Sequence, residues 1–232
     1  MDYNLYLKFD GELDLNPSDY LGGVFDTIFA DIMCGTDEAA EAAEAADEDY
    51  KGTKIGFVQL LNYNQALAMS YGVNMTEVTF MTLQYNSKAL MELDYTLITQ
   101  ETIDEIGAAA NPNIMVLIRF GISAAYRNKG IGEQVMKGII KQMKGKCGYV
   151  IILKGEPAQC GVDAGPDSVY EKWGVELAGL EKDPEKAQWK LNAFFQRCGF
   201  RLFKNYDNVF VCNVDQAVSE RKLVARSVSR FT

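Results

Sequence analysis

Apolar and polar side chains alternate from Asn4 to Phe9, and that period of two predicts a first β-strand. The spacing then changes. Asn16-Pro17-Ser18-Asp19 supplies residues that open helices, and Leu21, Phe25, Ile28, Phe29 and Ile32 follow at helical intervals, so a helix is predicted to run to Cys34. Ile55 to Leu61 reads as a second strand and Asn64 to Ser70 as a short helix or turn. Glu77 to Tyr85 and Ala89 to Leu97 read as strands, and Gln100 to Ala110 as a short amphipathic helix. A fully apolar run, Ile114 to Ile122, predicts a buried strand. From Glu133 to Lys144, Val135, Met136, Ile139, Ile140 and Met143 share one helical face, and Tyr149 to Leu153 is apolar again. Asp183-Pro184 then starts a helix with an N-cap acceptor and a proline whose missing N–H costs nothing there. Ala187, Leu191, Phe194, Phe195 and Cys198 line that helix, and Gly199 is placed to end it. Phe200 to Phe203 and Val209 to Asn213 pair as a hairpin around Asn205-Tyr206-Asp207-Asn208.

The order of these elements predicts an α/β fold with a central sheet and helices on both faces, in a single domain spanning 1–232. Strand, helix and strand from Ile114 to Leu153 form a βαβ unit. Two segments interrupt the regular pattern, an acidic insert over 36–51 and an insertion over 155–182 rich in Gly, Pro and charge, in which Ser168 to Leu180 has helical character. A mildly basic tail, 214–232, closes the chain.

The loop inside the βαβ unit carries the chemistry. In Arg127-Asn128-Lys129-Gly130-Ile131-Gly132-Glu133 two glycines let a bulky phosphate approach backbone amides, and the helix that follows points its free amides and positive dipole end into the loop. An anion is expected there. A P-loop would need Lys-Ser/Thr after its last glycine, whereas Lys129 precedes Gly130 and Glu133-Gln134 follows Gly132. A dinucleotide fingerprint would need a third glycine where Val135 stands. Arg127-Asn128-Lys129-Gly130-Ile131-Gly132 resembles the Arg/Gln-x-x-Gly-x-Gly/Ala signature of the GNAT superfamily of N-acetyltransferases. Phe194-Phe195-Gln196-Arg197-Cys198-Gly199-Phe200 resembles that family's second signature, an aromatic pair followed after three residues by Gly-Phe. The resemblance covers Asn113 to Asn213, the expected acetyl-CoA-binding core. The N-terminal half matches in outline.

The resemblance implies an acyl-CoA N-acyltransferase fold, a mixed, mostly antiparallel sheet whose middle strands splay. Acetyl-CoA would lie between them as acyl donor, its pantetheine arm pairing with the backbone of Phe120 and Ile122 around Gly121. Its pyrophosphate would take amides from Arg127 to Glu133, including those of Asn128, Lys129, Gly130, Ile131 and Gly132, with the Arg127 and Lys129 side chains adding charge at the rim. Transfer would be direct, from CoA to a primary amine, and the family often supplies a tyrosine as acid where Phe195 stands here. Tyr206 or Tyr170 could give that proton instead. For the base, Glu92 and Asp94 are candidates, since in Leu90-Met91-Glu92-Leu93-Asp94-Tyr95 they alternate onto one face of the predicted strand. Arg119, a charge inside an apolar strand, calls for a carboxylate partner there or grips a substrate carboxylate.

Composition narrows the classes. The chain has no histidine, which excludes Cys-His and Ser-His nucleophiles and zinc sites of the usual mixed type, so no metal is expected. Five cysteines without C-x-x-C spacing read as reduced buried thiols, and with no secretory signal at Met1 to Leu5 and no apolar stretch near the ~20 residues that span a bilayer, a cytoplasmic protein without membrane contact is expected. A net charge of −9 argues against nucleic acid as a partner. Asp37, Glu38, Glu41, Glu44, Asp47, Glu48 and Asp49 concentrate negative charge in the acidic insert, either a solvated segment or an attractor for a basic acceptor such as a polyamine or a lysine-bearing protein. The acceptor is thus a small-molecule or protein amine. A non-catalytic acyl-CoA-binding or regulatory protein is the alternative and a nucleotide-binding domain a third reading. Met69, Met75, Met81, Met91 and the C-terminal hairpin could build a homodimer surface, although such residues more often form core.

Overall fold

The computed structural model of the protein describes residues 4–9, 23–35, 52–72, 88–94, 98–160, 168–204 and 206–217. The acidic insert, the strand expected over 77–85 and the chain from 218 onward lie outside the described residues. Seven strands form one sheet: β1 (Asn4–Phe9), β2 (Phe25–Gly35), β3 (Thr53–Tyr63), β4 (Ile114–Ile122), β5 (Tyr149–Ile152), β6 (Arg201–Leu202) and β7 (Phe210–Asn213), in the order β1-β2-β3-β4-β5-β7-β6. The β4–β5 pair is parallel and every other pair antiparallel, which makes the sheet mixed and mostly antiparallel. The helices are α1 (Gln65–Ser70), α2 (Lys88–Met91), α3 (Gln100–Ile106), α4 (Ile131–Gln142), α5 (Val169–Lys172) and α6 (Pro184–Cys198).

Alternation along the central strands divides the core in two. Met115, Leu117, Val150, Ile152, Phe210 and Cys212 turn to one face, where they pack with Ile131, Val135, Met136, Ile139 and Ile140 of α4 and Phe195 and Cys198 of α6. Ile114, Val116, Tyr149, Ile151 and Val211 turn to the other, against Ala68 of α1, Ala89 and Leu90 of α2 and Ile106 of α3. Successive strand side chains point to opposite faces, so a strand apolar at every position must be covered on both. Helix α6 begins as expected, with the Asp183 side chain accepting from the amides of Glu185 and Lys186, and ends at Gly199 with φ of 99°. No helix among the described residues is long and apolar enough to cross a membrane.

Two predicted elements are corrected. The segment from Phe25 that was expected to be helical is strand β2, hydrogen-bonded to β1 on one side and β3 on the other. Ala30, Ile32 and Cys34 are buried at every second position, a two-residue period hidden by the helical spacing of Phe25, Ile28, Phe29 and Ile32. Gly23, at φ of 82°, also breaks the proposed helix. The strand expected from Ala89 is instead α2 followed by a turn, and Ala89, Leu90 and Leu93 bury together at helical spacing. The Ser168 to Leu180 stretch is helical only in α5. The cysteines form no disulfide, and Cys34, Cys147, Cys198 and Cys212 are buried as expected, but Cys160 is exposed.

Two glycines test how tightly the middle of the sheet is packed. A Cβ on Gly56 of β3 would run into the Gly121 carbonyl oxygen of β4, whereas one on Gly138, on the exposed side of α4, would meet nothing within 4 Å. Gly56→Ala is therefore expected to cost about 1–3 kcal/mol through overpacking. Gly138→Ala should add about 0.5–1 kcal/mol by restricting the unfolded chain. Urea midpoints of both variants against the unsubstituted protein check the pair.

Candidate functional site

Strands β4 and β5 pair at Ile114↔Tyr149, Met115↔Val150 and Val116↔Ile151, and there the pairing ends. β5 stops at Ile152, while β4 runs on to Ile122 along β3. On that other side Gln59 faces Arg119 but Leu60 faces Leu117, so Ile118 is the extra residue of a β-bulge, a device that bends a strand. A cleft of about 550 Å³ opens where the strands part. Its walls are the Leu117–Ile122 length of β4, the chain leaving β5 through Lys154 to Gln159, the Tyr170 to Glu181 segment, and one side of α6.

The glycine loop stands at one end of this cleft. Gly130 takes φ of 77° as N-cap of α4 and, lacking a side chain, leaves the first-turn amides uncapped. Asn128 is also left-handed, at φ of 59°, a geometry that asparagine tolerates better than most residues. Gly132 lies under two stacked rings, since its Cβ would sit 3.6 Å from Phe194 and 3.8 Å from Phe120. Glu133 lines the cleft too, hydrogen-bonded to Lys137 and 3.3 Å from Arg197 Nε, and the Lys137 bond is the main cause that holds its carboxyl below the usual range. Arg119, Arg127, Lys154, Lys190 and Arg197 line the cleft against Glu133, Glu156 and Glu181, an excess of cations in a chain of net charge −9.

The Arg127 guanidinium is engaged by backbone carbonyls. Its Nε donates to the Ile122 carbonyl at 2.8 Å, Nη1 to the Ala178 carbonyl at 3.3 Å, and Nη2 to the Glu176 carbonyl. Burial pulls the guanidinium below its ordinary pKa, opposed by Glu176 and Glu171. Further bonds in the same direction run from the Ala124 amide to Glu176 Oε2 (3.1 Å) and from Ser123 Oγ to the Gly174 carbonyl (3.2 Å). Arg127 thus fastens the 174–178 segment to the end of β4 and occupies the Ile122 carbonyl that was expected to pair with pantetheine. Lys129 is exposed, with Nζ 5.6 Å from the Tyr126 ring centroid, and is not in the cleft wall. Aromatic contacts secure the start of the same segment. Phe57 of β3 lies 5.5 Å from Tyr170 and 4.9 Å from Trp173, Phe29 of β2 is 5.3 Å from Trp173, and Lys54, bonded to Asp31 at 2.6 Å, places its ammonium 5.5 Å from that indole.

The three candidate catalytic residues are not in the cleft wall. Glu92 and Asp94 lie in the turn after α2 rather than alternating on a strand, and Tyr206 Oη donates to Glu92 Oε1. Burial and then Glu92 push the Tyr206 hydroxyl up to about 12, while burial and then Asp94 push Tyr63 to about 12. Arg119 does line the cleft, and Nη1 donates to Gln59 Oε1 at 2.8 Å, a neutral partner directly opposite in register. Tyr170 also lines it and packs against Gly121, where a Cβ would approach Tyr170 Cδ1 to 3.3 Å. Phe195 is core, 5.8 Å from Phe200 and 5.1 Å from Phe210 between ring centroids. Sequence reasoning missed Trp189 and the Lys154 to Gln159 wall. Trp189 had a signal, a large ring off the apolar stripe of its helix, but the wall had none.

No family model matches the chain, and no curated protein matches its sequence. Among solved structures, similarity is found to the KacTA–DNA complex, with 10% identity and a TM-score of 0.40 over 94% of this chain and 98% of the other. It is found also to a tyrosine-to-phenylalanine mutant of KacT, with 13% identity and a TM-score of 0.38 over 94% and 99%. SsHAT matches with 10% identity and a TM-score of 0.31 over 81% and 72%. Likenesses of this size decide neither ligand nor reaction for this chain.

Loss of the Arg127 fastening should show in stability. Arg127→Gln is expected to cost about 2 kcal/mol, roughly 4–8 °C in Tm for a chain of this size, and to speed tryptic cleavage at Lys172 and Lys182. An unchanged Tm and cleavage rate would mean that the guanidinium fastens nothing. For Tyr206, the raised folded-state pKa keeps the hydroxyl protonated through the range near 10 where a solvated tyrosine ionises. The ultraviolet difference titration of the unsubstituted protein against Tyr206→Phe should accordingly lose a tyrosine with a midpoint near 12.

Proposed function

We propose that this chain is a GNAT-type N-acetyltransferase, which passes an acetyl group from acetyl-CoA directly to a primary amine. One observation carries the reading: a glycine-capped helix with open first-turn amides stands beside a strand that has left its parallel partner, at the end of a cation-rich cleft. A long polyanionic thioester with a peptide-like arm has the complementary chemistry. The cleft volume of about 550 Å³ is in the range of ligand pockets, and the Cβ-free loop residues give the pyrophosphate its close approach. Acetyl-CoA supplies the activated carbonyl carbon.

The protein's own groups do the rest. The amides from Asn128 to Glu133 and the α4 dipole hold the pyrophosphate, and the edge of β4 turned away from β3 positions the arm at Phe120, with Ile122 sharing its carbonyl with Arg127. An N–H of β4 near Phe120 to Ile122 stabilises the oxyanion as the amine nitrogen forms its bond to the carbonyl carbon. The C–S bond then breaks, the sulfur leaves as thiolate, and Tyr170, which packs at Gly121 in the cleft wall, gives it a proton. The ammonium proton leaves through water. A second reading, an acyl-CoA-binding protein without turnover, is favoured by Phe195, which has no hydroxyl at the position where the family often carries its acid.

Calorimetric titration with acetyl-CoA, with NAD and ATP as controls, tests the first claim. Micromolar binding that weakens at least tenfold in Gly130→Val, where a β-branched side chain is forced to positive φ, is the expected outcome. Binding of NAD or ATP that acetyl-CoA does not displace would assign the loop to a nucleotide instead. Release of CoA over a panel of primary amines separates transferase from binding protein.

A further inference from the structure

Trp189 is 72% exposed and yet belongs to the cleft wall. α6 buries Ala187, Phe195 and Cys198 against the sheet, and Trp189 stands off that stripe, an indole left in water on the side of the helix that faces the cleft. The chain's other tryptophan, Trp173, is packed between rings, whereas among the described residues Trp189 stacks on none. Trp189, Ala193 and Arg197 recur at intervals of four, so they form one row along the helix, and the single methyl of Ala193 leaves a hollow between indole and guanidinium. The far end of the row is tied to the anion loop, since Arg197 Nε lies 3.3 Å from Glu133 in the first turn of α4. Phe194, under Gly132 of that loop, is five positions from Trp189, or about 7–8 Å at the rise of an α-helix. A ribose bridges a comparable gap between a pyrophosphate and its base. Lys190, next to the indole and 2.7 Å from Glu181, adds a cation on the same rim.

Resting on the acyl-CoA reading, we propose that Trp189 is the adenine platform of the cleft: the base of CoA lies flat on the exposed indole while its pyrophosphate sits on the amides of the glycine loop. Stacking on a π-face supplies affinity without selecting a particular base, which suits a site that must recognise the nucleotide end of a ligand chosen by its other end.

Binding of CoA, of adenosine 3′,5′-bisphosphate and of acetyl-pantetheine, which lacks the nucleotide, measured on the full chain and on Trp189→Ala and Trp189→Phe, tests this. Since the side chain is exposed, neither substitution should disturb folding. Trp189→Ala is expected to weaken CoA and the bisphosphate about tenfold and to leave acetyl-pantetheine unchanged, with Trp189→Phe recovering most of the loss. Unaltered CoA binding in Trp189→Ala, or an equal loss for all three ligands, would overturn the assignment while the acyl-CoA reading stands. An unsubstituted protein that binds none of the three would overturn both.

Discussion

Hydrogen bonding between the parallel strands β4 and β5 lasts for three residue pairs and then stops. The rest of the cleft depends on that interruption. Backbone groups that leave a sheet ladder need other partners, and here the side of β4 turned away from β3 opens on a cleft rather than on a neighbouring strand. The bulge at Ile118 bends β4 where the parting starts, while on the other side β3 and β4 stay paired as far as Gly56 and Ile122, with Gly56 close against the Gly121 carbonyl. One strand is thus a full member of the sheet along one edge and a wall of the cleft along the other.

The second constraint is Arg127. A motif that would ordinarily be read as an arginine on a phosphate turns out to be an arginine on three carbonyls. With Gly130 as its N-cap, α4 keeps the amides of its first turn free of any side-chain cap.

The parts of this fold that announce themselves in the sequence are those with local causes. Helix α6 is bounded by Asp183, Pro184 and Gly199, each acting within a turn of its own position, and α4 by Gly130. β2 was misread because Ile28 and Ile32 satisfy a helical period as well as an alternating one, and the choice fell to a ladder with β1 and β3 that lies far away in sequence. Glu92 and Asp94 went with the same kind of error: Ala89, Leu90 and Leu93 favour a helical turn, and the alternation that made the carboxylates look like a pair on one face disappears with the strand. The bulge at Ile118, the Gln59 partner of Arg119 and the wall that follows β5 are matters of register and tertiary placement. No pattern along the chain specifies them.

Within the insertion between β5 and α6, the 170–178 stretch is held through Tyr170 and Trp173 against Phe57 and Phe29, and through Glu176 and Ala178 on Arg127. That stretch belongs to the cleft wall that runs from Tyr170 to Glu181. Where it is fastened to β2, β3 and the loop after β4, the wall takes its shape from the folded core, so a ligand pays little to order it. Encounter then limits how fast the cleft fills, and differences between competing ligands appear in how slowly they leave.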